Sequence, residues 1–116
     1  MKNQSTPLIK QFVALVRLNP YDNSLAFVEQ IAQTIISDLK LKVVNKASHS
    51  FKPTGITFGY ILSQSHLLIH TYPEYGVIHI DLVICVDRSE KDFETALKNA
   101  FFDYKVDSIE IKTVDF

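Results

Sequence analysis

The chain has 116 residues, enough for one small domain around a single core. Apolar residues make up 47% of it, the formal net charge is −1 and its Lys and Arg are scattered. These features argue against a nucleic-acid partner, because binding phosphates takes a clustered basic face. Its single cysteine excludes an internal disulfide, and nothing approaches the ~18 consecutive apolar residues of a membrane span. The opening MKNQSTPLIKQ carries no apolar segment of leader length, so the expectation is a cytoplasmic protein with no membrane partner.

Residues 8–18 read as a strand with both faces largely apolar, Phe12, Ala14, Val16 and Leu18 alternating with Val13 and Leu15, hence a central strand. The turn formers Asn19-Pro20-Tyr21-Asp22-Asn23 follow, and Asp22 or Ser24 can cap a helix over 24–39 with an apolar stripe from Phe27 to Leu39. A strand fits 41–50, beginning Leu41, Val43, Val44 and turning polar by Asn45. The stretch 51–55 is a loop, because Pro53 lacks an amide donor and Gly55 permits unusual backbone angles.

Ile56–Leu62 is expected as a third strand, Ser63-Gln64-Ser65 as a tight connection, and His66–Thr71 as a fourth strand. Pro73-Glu74-Tyr75-Gly76 makes a hairpin loop. In the strand Val77–Cys85, Ile78, Ile80, Leu82 and Ile84 form one aliphatic face, while His79, Asp81 and Cys85 share a mixed face with Val77 and Val83. Ser89 and Asp92 make a capping-box start for a helix over 89–101, and 108–114 closes the chain as a strand. The fold class is α+β: one domain over 1–116, a two-layer sandwich of a mostly antiparallel sheet with two helices on one face.

Taken alone, the polar residues leave alternatives open. Ser65 is an ordinary turn residue, His70 a partly buried histidine satisfied by a hydrogen bond, and Cys85 a small buried hydrophobe or a working thiol. His66 and His70 are four apart, which on a strand separates them by roughly 13 Å, so no metal site is expected.

The run Gln-Ser-His-Leu-Leu-Ile-His-Thr-Tyr-Pro-Glu-Tyr-Gly over 64–76, followed by an apolar strand to Cys85, resembles the core of prokaryotic S-adenosylmethionine decarboxylase proenzymes. Their pattern there is Glu-Ser-His-x-x-Ile-His-Thr-Trp-Pro-Glu-x-Gly, with a cysteine at the same distance. His49-Ser50-Phe51-Lys52-Pro53-Thr54-Gly55-Ile56-Thr57 fits the family's approach to this run, and the match is dense over 49–85.

The resemblance implies a two-layer sandwich and a homodimer with active sites near the subunit interface. It also implies that Ser65 attacks the carbonyl of Gln64, splitting the chain into 1–64 and 65–116 and leaving a pyruvoyl cofactor in place of Ser65. On the same basis His70 takes the serine-derived Cα proton, Thr57 stands with it in the processing site, and Cys85 protonates the carbanion left by carbon dioxide. Phe51, Tyr72 and Glu74 match positions that bind a small-molecule substrate. The reaction implied is decarboxylation of S-adenosylmethionine for polyamine synthesis, the substrate amine held by the pyruvoyl carbonyl as a Schiff base. Two other readings stand beside it: the same chemistry on ornithine or arginine, for which Asp81 is the candidate carboxylate, and a homologue that never cleaves and regulates a partner. The chain departs from the family at Gln64 (Glu in the family), Phe58 (Gly), Tyr72 (Trp) and Val86 (Gly). Phe58 and Tyr72 are expected to bear on the pocket.

Overall fold

The computed structural model of the chain describes residues 6–116; residues 1–5, the start of the MKNQSTPLIKQ segment, lie outside them. Six strands, β1 (Lys10–Arg17), β2 (Val43–Ser50), β3 (Ile56–Leu62), β4 (Ser65–Tyr72), β5 (Val77–Ile84) and β6 (Ser108–Asp115), form one sheet in the order β2-β3-β4-β5-β1-β6. Every pairing is antiparallel. Two helices, α1 (Leu25–Asp38) and α2 (Glu90–Ala100), pack against each other and cover one face. The α+β sandwich is thus as the sequence reads. No described helix is long and apolar enough to cross a membrane.

The period-two pattern decides which face is covered. Phe12, Ala14 and Val16 of β1 register with Leu82, Ile80 and Ile78 of β5, and all six are fully buried. Helix α1 adds Phe27, Val28, Ile31, Ala32, Ile35 and Ile36, and α2 adds Phe93, Ala96 and Leu97. Phe12 stacks on Phe93 with centroids 5.1 Å apart. Burying side chains of this size is worth about 1.5–3 kcal/mol each.

The caps follow local sequence. Of the two capping candidates for α1 it is Ser24 whose hydroxyl accepts from the Phe27 amide, while Asp22 Oδ2 accepts from the Ser24 hydroxyl. Ser89 and Asp92 make the full reciprocal capping box at α2. Pro73–Tyr75 is a single 3₁₀ turn closed by Gly76 at φ 62°, where a Cβ would stand 2.9 Å from that of Asn19.

Three readings are corrected. The second strand begins at Val43 rather than 41, and all eight of its residues are exposed, because β2 is an edge strand at the rim of the helix layer, where Lys46 pairs with Glu29 of α1. Phe58 does not face a pocket: it is buried on the helix side, stacked on Tyr60 at 4.9 Å, since its strand parity is that of Leu62. Cys85 falls just past the end of β5 rather than within it.

Candidate active site

The face away from the helices carries the polar residues. Cross-strand partners share a face, so Thr57 of β3, His70 of β4 and His79 of β5 stand side by side there. Asp81 lies one step further along, opposite Leu68, and His66 one step beyond that, opposite Val83.

Two clusters form at opposite ends of β4. The first is the β3–β4 turn. Leu62 pairs with Ser65, leaving Ser63 and Gln64 as a two-residue turn exposed to solvent. Gln64 sits at φ 121°, a left-handed setting that disfavours any residue with a Cβ. Cys85, half-buried at the end of β5, places its thiol 3.8 Å from the carbonyl oxygen of Gln64, so the S–H can donate to it. The Gln64–Ser65 peptide is therefore strained on one side and touched by a thiol on the other.

The second cluster is at the far end of β4. Thr57 Oγ1 and His70 Nδ1 are hydrogen-bonded at 3.0 Å. The His70 ring also faces that of His79, with centroids 6.0 Å apart. Burial, then the neighbouring His79, push the His70 imidazole below its ordinary pKa, and Asp81 opposes them. Tyr72, Glu74 and Phe51 belong to this same end and are exposed. Phe51 lies edge-on to His49, 4.5 Å between centroids, and its amide closes the loop on Gly55 O at 2.8 Å.

A buried threonine fixes this end. Thr71 Oγ1 donates to Asn23 Oδ1 at 2.7 Å and accepts from the Ile56 amide at 2.8 Å, while Asn23 Nδ2 donates to Thr54 Oγ1 at 3.3 Å. The loop bearing Phe51 is so tied to the end of β4.

Ser65 and His70 do not meet within one copy. Five residues of strand separate them by roughly 17 Å. The odd spacing also turns them to opposite faces, Ser65 with Leu62 toward the helices and His70 toward the open side. Gln64, Ser65 and Cys85 come together; Thr57 and His70 come together at the other end of β4, the end that also carries Phe51, Tyr72 and Glu74; the two groups are apart.

Residues 19–114 match the family described as S-adenosylmethionine decarboxylase. The chain belongs to that family. S-adenosylmethionine decarboxylase proenzyme 2 of Halalkalibacterium halodurans is 41% identical over 66 residues, 57% of this chain and 52% of that protein. The S-adenosylmethionine decarboxylase proenzyme of Archaeoglobus fulgidus is 34% identical over 73 residues, 61% of this chain and 65% of its own. In these two alignments the chain spans 52% and 65% of the curated relatives' length. The crystal structure of the adenosylmethionine decarboxylase from Aquifex aeolicus superposes with a TM-score of 0.77 over 96% of this chain and 92% of that one. At 18% identity that likeness speaks for the fold.

Two contributors to this open face are not candidates on sequence grounds. Gln11 Nε2 donates to Asp81 Oδ1 at 2.9 Å, a contact 70 residues apart in the chain that only strand order reveals. His79 is legible as one ionisable group of a mixed face, but its neighbour His70 is fixed only by the β4–β5 register.

Proposed function

We propose that this chain is a self-processing, pyruvoyl-dependent decarboxylase of S-adenosylmethionine that works as a homodimer. The observation that carries the reading is the Cys85 thiol against the carbonyl of the strained Gln64–Ser65 peptide. That peptide is the bond whose rearrangement makes the prosthetic group, and a serine after a strained, exposed turn fits its formation.

In the first step Ser65 Oγ adds to the Gln64 carbonyl carbon, the C–N bond breaks, and the acyl group passes to oxygen with release of the Ser65 amine. A left-handed setting of this kind raises the starting state by on the order of 1–3 kcal/mol. The Cys85 S–H stabilises charge gathering on the carbonyl oxygen. A base then removes the Ser65 Cα proton, the ester C–O bond breaks, and Gln64 leaves as a carboxylate. Exchange of the nitrogen for water, as ammonia, completes the group at the head of 65–116.

His70 is the base. In the tautomer whose Nδ1 donates to Thr57 Oγ1, Nε2 is left free to take the proton. Because Ser65 and His70 of one copy are about 17 Å apart along β4, the base reaching a given Ser65 is the partner's His70. Two copies meeting over their open faces, head to tail, set the Phe51, Tyr72 and Glu74 end of one against the Cys85 end of the other. The exposed Tyr72 and Phe51 rings suit the adenine and sulfonium of the substrate, and Glu74 its ribose hydroxyls.

The pyruvoyl carbonyl supplies, once formed, a point of attachment for the substrate amine and a sink for the electrons released with carbon dioxide. Cys85 holds the proton that the product takes up. The product, decarboxylated S-adenosylmethionine, would serve polyamine synthesis in the cytoplasm.

Intact mass of the purified, denatured protein tests the reading: two chains, 1–64 and 65–116, are expected from the wild type and one from Ser65→Ala. A wild type that stays whole on long incubation overturns self-processing and favours a regulatory homologue. Release of carbon dioxide from ornithine or arginine but not from S-adenosylmethionine overturns the substrate.

A further inference from the structure

We propose that His79 is a positioning residue that keeps its neighbour His70 unprotonated and able to act as a base, a role that rests on the reading of His70 as the base of self-processing. A single register row crosses all six strands on the open face: His49, Thr57, His70, His79, Leu15 and Glu110. In that row His70 has two immediate neighbours. Thr57 takes Nδ1 in a 3.0 Å hydrogen bond, and His79 presents its ring at 6.0 Å and 40°.

The charges facing His70 from each element are few. Its own strand offers His66, and β5 offers His79 and Asp81. His49 of β2 lies beyond Thr57, while Glu110 and Lys112 of β6 lie beyond Leu15 and Val13 of β1. The helices cover the other face and contribute none. Asp81 is the one nearby carboxylate that would favour a protonated His70, and its oxygens are engaged elsewhere: Oδ1 accepts from Gln11 Nε2 at 2.9 Å and Oδ2 stands 3.9 Å from His66 Nε2.

His79 is thus the nearest ionisable ring to His70. Two imidazoles at this separation accept a first proton between them readily and a second one reluctantly. His79 also lines a cleft of about 200 Å³ with Val13, Leu15, Glu110 and Lys112. A proton on either ring therefore repels a second one from the other. The direction of the His70 shift, with His79 second only to burial among its causes, agrees.

The test separates this role from the reading on which it rests. In the Ser65→Ala chain, the His70 imidazole proton signal is titrated by NMR with His79 intact, as His79→Asn and as His79→Lys, His70→Asn supplying the assignment. Removing a like charge about 6 Å away should raise the His70 midpoint by roughly half a unit at near-water dielectric. The lysine should lower it, an inversion that loss of packing would not produce. In chains that retain Ser65, the acid limb of the self-cleavage rate should move in the same directions. His79→Gln replaces His79→Asn should the latter not fold. An unmoved His70 midpoint overturns the coupling. A midpoint that moves while the self-cleavage limb stays put leaves the coupling standing and overturns His70 as the base.

Discussion

The Cys85 thiol lies 3.8 Å from the carbonyl oxygen of Gln64, joining the end of β5 to the β3–β4 turn across 21 residues of sequence. On the proposed reading one side chain would serve two events in succession at the same spot. It would face the scissile carbonyl during self-cleavage and afterwards stand beside residue 65, where the substrate would be decarboxylated.

Cys85→Ala should therefore still give the two fragments, more slowly, since only a weak S–H donor is lost. Decarboxylation should suffer far more, by ~10²–10⁴-fold, the usual weight of a positioned proton donor. Fragment yield and carbon dioxide release measured on the same preparation check this. Turnover near the wild-type rate would return Cys85 to a structural role.

Thr57→Val tests how His70 is oriented. The change is nearly isosteric and removes the partner of Nδ1. A net loss of about 1 kcal/mol corresponds to roughly five- to ten-fold slower self-cleavage. Thr57→Ser, which keeps the hydroxyl, should restore most of the rate.

The shift at His70 also makes a statement about stability. Its pKa is lowered in the fold, burial being the first cause, so the native state holds the neutral ring while the unfolded chain protonates near ~6.5. Between that value and the lower folded one the unfolded state binds more protons, and stability falls as the pH falls. His70→Asn should flatten the urea midpoint against pH in this window while leaving the acid slope due to carboxylates. An unchanged slope would show that burial does not act on His70 as described.

Much of the fold is legible in the sequence alone, for identifiable reasons. Ile78, Ile80, Leu82 and Ile84 alternate so strictly that the buried face of β5 is unmistakable, and Ser89 with Asp92 announces the start of α2. Phe58 is misplaced when a departure from the family pattern is weighed ahead of strand parity, which puts it with Leu62 in the core. Val43 and Val44 are apolar, yet at the edge of the sheet they lie in solvent. The separation of Ser65 from His70 is implicit in an odd spacing along one strand. It acquires meaning only through Cys85 and Thr57, which the fold sets at opposite ends of that strand.

Gly76→Ala should destabilise the protein by more than about 1 kcal/mol, because alanine disfavours the left-handed setting. At φ 62° its Cβ would lie 2.9 Å from Asn19 Cβ and 3.3 Å from the Leu18 carbonyl oxygen, neither of which is a flexible side-chain tip. The Gly76 carbonyl also accepts from the Leu18 amide at 2.9 Å, so a shift here disturbs the start of β5. A thermal melt of the Ser65→Ala chain with and without the substitution measures the effect free of cleavage.

Tyr72→Ala bears on the substrate. Tyr72 is 44% exposed at the His70 end of the sheet, Phe51 is 51% exposed at the same end, and neither ring is needed by the core. Loss of one base-stacking ring is worth ~1–3 kcal/mol, or roughly five- to a hundred-fold in KM for S-adenosylmethionine. Tyr72→Trp enlarges the stacking surface and should lower KM below the wild-type value, a gain that a structural role for Tyr72 would not give. Ornithine and arginine have no adenine to stack, so the same pair of variants should leave any turnover of these amino acids at one KM. Initial rates with the three substrates on processed wild type, Tyr72→Ala and Tyr72→Trp decide between them: a KM for S-adenosylmethionine indifferent to both changes would remove Tyr72 from the binding site.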